Sequence, residues 1–63
     1  MSWKRHAQIS TRRTWWEAIN GPYMIQASNS GWYECWCNGE YFGGSGLLGG
    51  AMNLCETHAK ESR

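Results

Sequence analysis

Closely spaced turn signals constrain this chain more than any other feature. Asn38-Gly39 follows the run WYECWC, and an Asn-Gly pair after β-forming residues is the strongest short hairpin signal, because both residues tolerate the positive φ of a two-residue turn. Two further breaks lie upstream: Asn20-Gly21-Pro22, and the polar loop Ser28 to Gly31. The runs they separate, TWWEAI, YMIQA, WYECWC and EYFG, are rich in aromatic and β-branched residues. An antiparallel meander of three to four strands is therefore predicted.

After Gly43-Gly44-Ser45-Gly46 the period changes. Leu48, Ala51, Met52, Cys55 and Ala59 recur at helical spacing, while Asn53, Glu56, Thr57 and Lys60 fall on the other side. This is one C-terminal amphipathic helix, with Ser45 as its expected N-cap. Gly49 and Gly50 each cost up to about 1 kcal/mol relative to Ala, so a weak first turn, or a start displaced toward Ala51, is expected. The fold class is α+β, with the helix packed on one face of the sheet.

A chain of 63 residues makes one domain with a small core, and five Trp, three Tyr and one Phe supply its bulk. Residues 1–13 carry Lys4, Arg5, Arg12 and Arg13 with no acid among them and read as a basic N-terminal arm. Residues 14–63 then form the single small domain. A net charge of +1 creates no field that demands nucleic acid or an anionic membrane. No apolar run has the roughly 20 residues that span a bilayer, and MSWKRH does not open a signal peptide, so a cytoplasmic protein without a membrane partner is expected. Free or metal-bound thiols are expected from three cysteines in such a compartment.

Alternation along the third run sends Trp32, Glu34 and Trp36 to one face and Tyr33, Cys35 and Cys37 to the other. With one helix available, one face stays open, and Glu34 assigns that face to its own side. Trp32 and Trp36 are then exposed, extended by Trp15 beside Glu17. Exposed Trp marks binding surfaces without naming the ligand. A fold-back of the arm, including Trp3, or a second copy in a homodimer are the alternatives that would cover it.

The order W.A.NG.Y.I, then GWYE...NGE..G, then a helix ending A...C..HA, resembles small uncharacterised proteins of bacteriophages, especially those of actinobacteria, over about residues 14–60. It resembles more loosely the sheet-and-helix modules of phage-integrase arm-binding and AP2-type domains, which read DNA with the sheet. The resemblance implies a phage-encoded protein in the cytoplasm of a host cell. Those DNA readers carry Arg and Lys on the reading face, where this chain has Trp and Glu.

Three constellations remain. Cys35-x-Cys37 with Cys55-x-x-His58 offers four ligands of the kind zinc takes, although Cα atoms two apart on a strand stand about 6.5 Å apart and one ion needs a bend there. The same cysteines also suit small buried core positions. Cys55 with His58 lacks a third orienting group and an oxyanion hole, so no catalytic residue is assigned. Lys4, Arg5, Arg12 and Arg13 are the candidate phosphate contacts of a nucleic-acid-binding alternative. GGSGLLGG has no Lys and no Walker spacing. The leading expectation is a noncatalytic module that engages and modulates a host protein through Trp32, Trp36, Trp15 and Glu34. A nucleic-acid binder and a zinc-stapled adaptor are the alternatives.

Overall fold

The computed structural model describes residues 1–61. Five strands, β1 (Trp3–Gln8), β2 (Arg13–Ala18), β3 (Tyr23–Ala27), β4 (Tyr33–Cys37) and β5 (Glu40–Ser45), precede one helix, α1 (Leu48–Glu61). All pair antiparallel in the order β1-β2-β3-β4-β5, an uninterrupted meander in an α+β design. Among the described residues no helix is long and apolar enough to cross a membrane.

The expected turns form where the sequence places them. Asn38 and Gly39 both take positive φ, 52° and 80°, as a two-residue hairpin of matching twist requires. The β3–β4 loop is held by Ser28, whose N–H donates to Trp32 O at 2.8 Å and whose Oγ accepts from Trp32 N at 3.3 Å.

The fifth strand corrects the expected arm. Trp3–Gln8 pairs with β2 along its whole length, from Trp3 opposite Ala18 to Gln8 opposite Arg13. Its sequence conceals this because neither face of β1 is uniformly apolar: Trp3, Arg5 and Ala7 alternate with Lys4, His6 and Gln8. A strand at the edge of a sheet tolerates such charges, and Lys there blunts edge-to-edge pairing.

The helix lies against β3, β4 and β5. Ala51 and Cys55 are fully buried against Ile25 and Cys35, and Leu48, Met52 and Ala59 pack around them, as the period predicted. Burying Ile25 completely contributes about 1.5–3 kcal/mol. Trp3, Trp16 and Tyr33 extend this small core along the sheet, with the Trp16 and Tyr33 rings 5.8 Å apart.

Helix entry departs from expectation in two respects. The helix starts at Leu48 despite Gly49 and Gly50, because a Cβ at position 50 would collide with Ser45 Oγ; the bare backbone lets the first turn approach the end of β5. Ser45 stays in β5 and its Oγ accepts from Leu47 N at 3.2 Å, while Leu47 O takes the first helical bond from Ala51 N at 3.0 Å. Ser45 therefore fastens the connection and is not the N-cap.

One irregularity organises the far edge. Trp36 pairs with Tyr41 but Cys35 pairs with Gly43, so Phe42 is the extra residue of a β-bulge. Phe42 turns to the helix side, 6.0 Å from Tyr23 and 4.4 Å from His58 between ring centroids. Tyr41 stays on the opposite face.

Candidate functional face

The face away from the helix is built by strand register. Two rows of side chains cross it at right angles to the strands. One runs Lys4, Glu17, Met24, Trp36, Tyr41; the other runs His6, Trp15, Gln26, Glu34, Gly44. Cross-strand neighbours on one face stand about 4.5–5.5 Å apart, so each row is a line of contacts.

Trp32 completes the second row from outside the strands. It lies over Gly44, where a Cβ would overlap the indole Nε1 and stand 2.8 Å from Cε2. Without the bulge, Gly43 would face Glu34. The extra residue brings Gly44 there instead, and its missing side chain leaves room for the indole. Trp32 is 43% exposed and Tyr41 51% exposed, whereas Trp15 and Trp36 are half-buried.

The two ends of the face differ in chemistry. At the β1–β2 end His6 stacks on Trp15, with centroids 5.3 Å apart and planes 11° apart. Trp15 Nε1 donates to Glu17 Oε1 at 3.2 Å, and His6 Nε2 lies 3.6 Å from Glu17 Oε2. Glu17 thus accepts the Trp15 ring N–H, while His6 Nε2 is buried beyond hydrogen-bond distance of it and has no hydrogen-bond partner among the described residues. At the β4–β5 end the Trp36 and Tyr41 rings meet edge to face at 5.7 Å. Trp36 Nε1 is buried with no acceptor among the described residues.

Glu34 sits between these clusters. It was expected in water and is half-buried instead, because Trp32 and the flanking rows enclose it. No described residue pairs or hydrogen-bonds with its carboxylate. A groove of about 640 Å³ runs over β3 beside it, floored by Met24 and Gln26, walled by Trp15 and Glu34, and closed at the β1–β2 turn by Arg12 and Arg13.

All four residues expected to bind a partner, Trp32, Trp36, Trp15 and Glu34, therefore share this face. Sequence reasoning missed Tyr41 and His6. Tyr41 was legible, since a two-residue turn at Asn38-Gly39 pairs Cys37 with Glu40 and hence Trp36 with Tyr41. His6 was not, because its segment carried no strand signal.

Of the four basic residues of the expected arm, Lys4, Arg12 and Arg13 border the open face and Arg5 lies behind it. Lys4 neighbours Glu17 on the open face, and Arg5 pairs opposite Trp16 on the other side. Arg12 and Arg13 sit at the hairpin end, Arg12 with a positive φ of 54°. Trp3 packs toward the core, so the amino-terminal residues extend the open face and do not fold over it.

The cysteines lie on the helix side. Cys35 and Cys55 are fully buried, and Cys35 Sγ donates to Ala51 O at 3.4 Å. Burial pushes both thiols upward, and for Cys55 burial and its neighbour Cys35 raise the value from 9.0 to about 12. Cys37 is half-buried. His58 Nδ1 shares a 2.8 Å hydrogen bond with Tyr23 OH and its ring packs on Phe42. Among the described residues no three His, Cys, Asp or Glu side chains are grouped to hold a metal ion. No family model, curated protein or solved structure matches the chain.

Proposed function

We propose that this protein is a noncatalytic recognition module that binds a partner protein through the open sheet face. The observation that carries the reading is the convergence of Trp32, Trp36, Trp15 and Glu34, with Tyr41, on the one face the helix leaves bare. Aromatic side chains offer large contact area at low entropic cost and dominate binding hot spots, whereas a sheet face with no partner seldom displays them. The phage resemblance makes a host protein the partner to seek and modulation of that host the role.

Two observations support a protein partner over nucleic acid and over catalysis. Arg5 lies on the opposite side of the sheet, and Lys4, Arg12 and Arg13, which border the open face, are interrupted there by Glu17 and Glu34, so among the described residues no purely positive track accompanies the aromatics. Cys55 is buried and protonated at neutral pH, and His58 is engaged by Tyr23, so neither is presented to a substrate.

The test is capture from host lysate by the tagged protein, in parallel with Trp32→Ala and the Trp32→Ala, Trp36→Ala double variant, each verified as folded by its amide NMR spectrum. One or a few proteins retained by the wild type and lost from both variants is the expected result. Equal retention by all three overturns the reading.

A further inference from the structure

The groove over β3 is more specific than the aromatic face as a whole. Its walls stand on β2 and β4, two strand spacings or about 9–10 Å apart, with Met24 and Gln26 of β3 as the floor between them. Trp15 forms one wall. His6 covers one face of its indole in a parallel stack from β1, so the face that borders the groove is the one directed toward β3. Glu34 forms the other wall, and among the described residues it is the open-face carboxylate without a partner, since Glu17 accepts from Trp15 Nε1. On the floor Gln26 Nε2 contacts Met24 Sδ at 3.9 Å, which leaves Gln26 Oε1 as an acceptor beside Glu34.

An indole bordering the groove, a half-buried carboxylate with no partner among the described residues and an amide oxygen ask for the same occupant. It must be cationic, flat enough to stack, and rich in N–H donors. Guanidinium meets all three requirements: it stacks on aromatic faces, pairs with carboxylates through a fork of donors, and is hydrated more weakly than ammonium. We propose that the groove receives an arginine side chain from an extended segment of the partner protein, with its guanidinium between Trp15 and Glu34. Arg12 and Arg13 close the groove at the hairpin end, so the same segment places an acidic or neutral residue there. This inference rests on the reading of the open face as a protein-binding surface and assigns the partner's anchoring residue.

The probe is the capped pentapeptide Gly-Ser-Arg-Ser-Gly, titrated into the ¹⁵N-labelled protein and followed on the Trp15 indole N–H and the Glu34 amide. Its citrulline counterpart keeps the shape and removes the charge. Saturable shifts at both positions with the arginine peptide, none with citrulline, weaker ones with lysine, and about tenfold weaker binding to Glu34→Gln are expected, as for loss of one charge-assisted contact. Glu34→Gln preserves volume, and its unliganded spectrum reports that the fold is intact. Equal response to arginine and citrulline, unchanged affinity in Glu34→Gln, or binding of a short oligothymidylate in place of the peptide overturns the proposal. Lysate capture separates the two levels: loss with Trp32→Ala but full retention with Glu34→Gln removes the arginine site alone, and retention with both removes the face as well.

Discussion

Gly44→Ala is the substitution that probes the open face most directly. A Cβ at that position would overlap Trp32 Nε1 and stand 2.7 Å from Tyr33 O and 2.8 Å from Trp32 Cε2, where ordinary contacts begin near 3.4 Å. The two obstacles differ in stiffness. Trp32 sits in a loop and can swing outward, but Tyr33 O belongs to the β4–β5 ladder, so moving it by more than half an ångström strains hydrogen bonds on both sides. Overpacking of this kind costs about 1–3 kcal/mol. With a urea m-value near 1 kcal/mol/M, the unfolding midpoint falls by about 1–3 M. Gly43→Ala is the internal control, since the nearest side-chain atom, Leu54 Cδ1, lies 4.0 Å from its added Cβ. Urea titration followed by Trp fluorescence gives the midpoints, and a cycle with Trp32→Ala divides the penalty between indole and carbonyl. The part relieved in the Trp32→Ala background belongs to the indole, and the remainder to the backbone. The double variant is expected to recover part, not all, of the loss. A Gly44→Ala protein as stable as Gly43→Ala, with an unshifted Trp32 indole resonance, would refute the placement of Trp32 and with it the bulge-dependent shape of the face.

Two further outcomes follow from the helix and the core. Gly49→Ala has nothing within 4 Å of its added Cβ and should stabilise the helix by up to about 1 kcal/mol, whereas Gly50→Ala meets Ser45 and should not; thermal unfolding of the pair in one buffer decides this, and equal gains would contradict the close approach of α1 to β5. Because Cys55 titrates near 12 in the native state and at 9.0 ordinarily, its contribution to stability is complete below pH 9. Above that the unfolded chain releases a proton the folded one keeps, so stability declines by up to about 1.4 kcal/mol per pH unit until about pH 12. Denaturant titrations across this window should show a shallower decline in Cys55→Ala, and an identical slope in both proteins would remove Cys55 as its source.

How much of this was readable in advance can be seen residue by residue. The turns at Asn38-Gly39 and Ser28 to Gly31, the inward stripe from Leu48 to Ala59, and the division of Trp32, Glu34 and Trp36 from Tyr33, Cys35 and Cys37 all follow from local rules: positive-φ tolerance, the 3.6-residue period and the alternation of a strand. Such rules act within a few residues, so the sequence alone determines them. The strand at Trp3–Gln8 has no local signature; it exists because β2 supplies an edge to pair with and a flank for Trp3 to pack on. The bulge at Phe42, the seating of Trp32 over Gly44, the enclosure of Glu34 and the stack of His6 on Trp15 arise the same way. Each joins residues brought together by register across strands, and register is a property of the assembled sheet. Sequence thus determined that Trp32, Glu34 and Trp36 share one face, and tertiary structure added His6 to it and decided the spacing, which made one carboxylate and one indole the two walls of a groove.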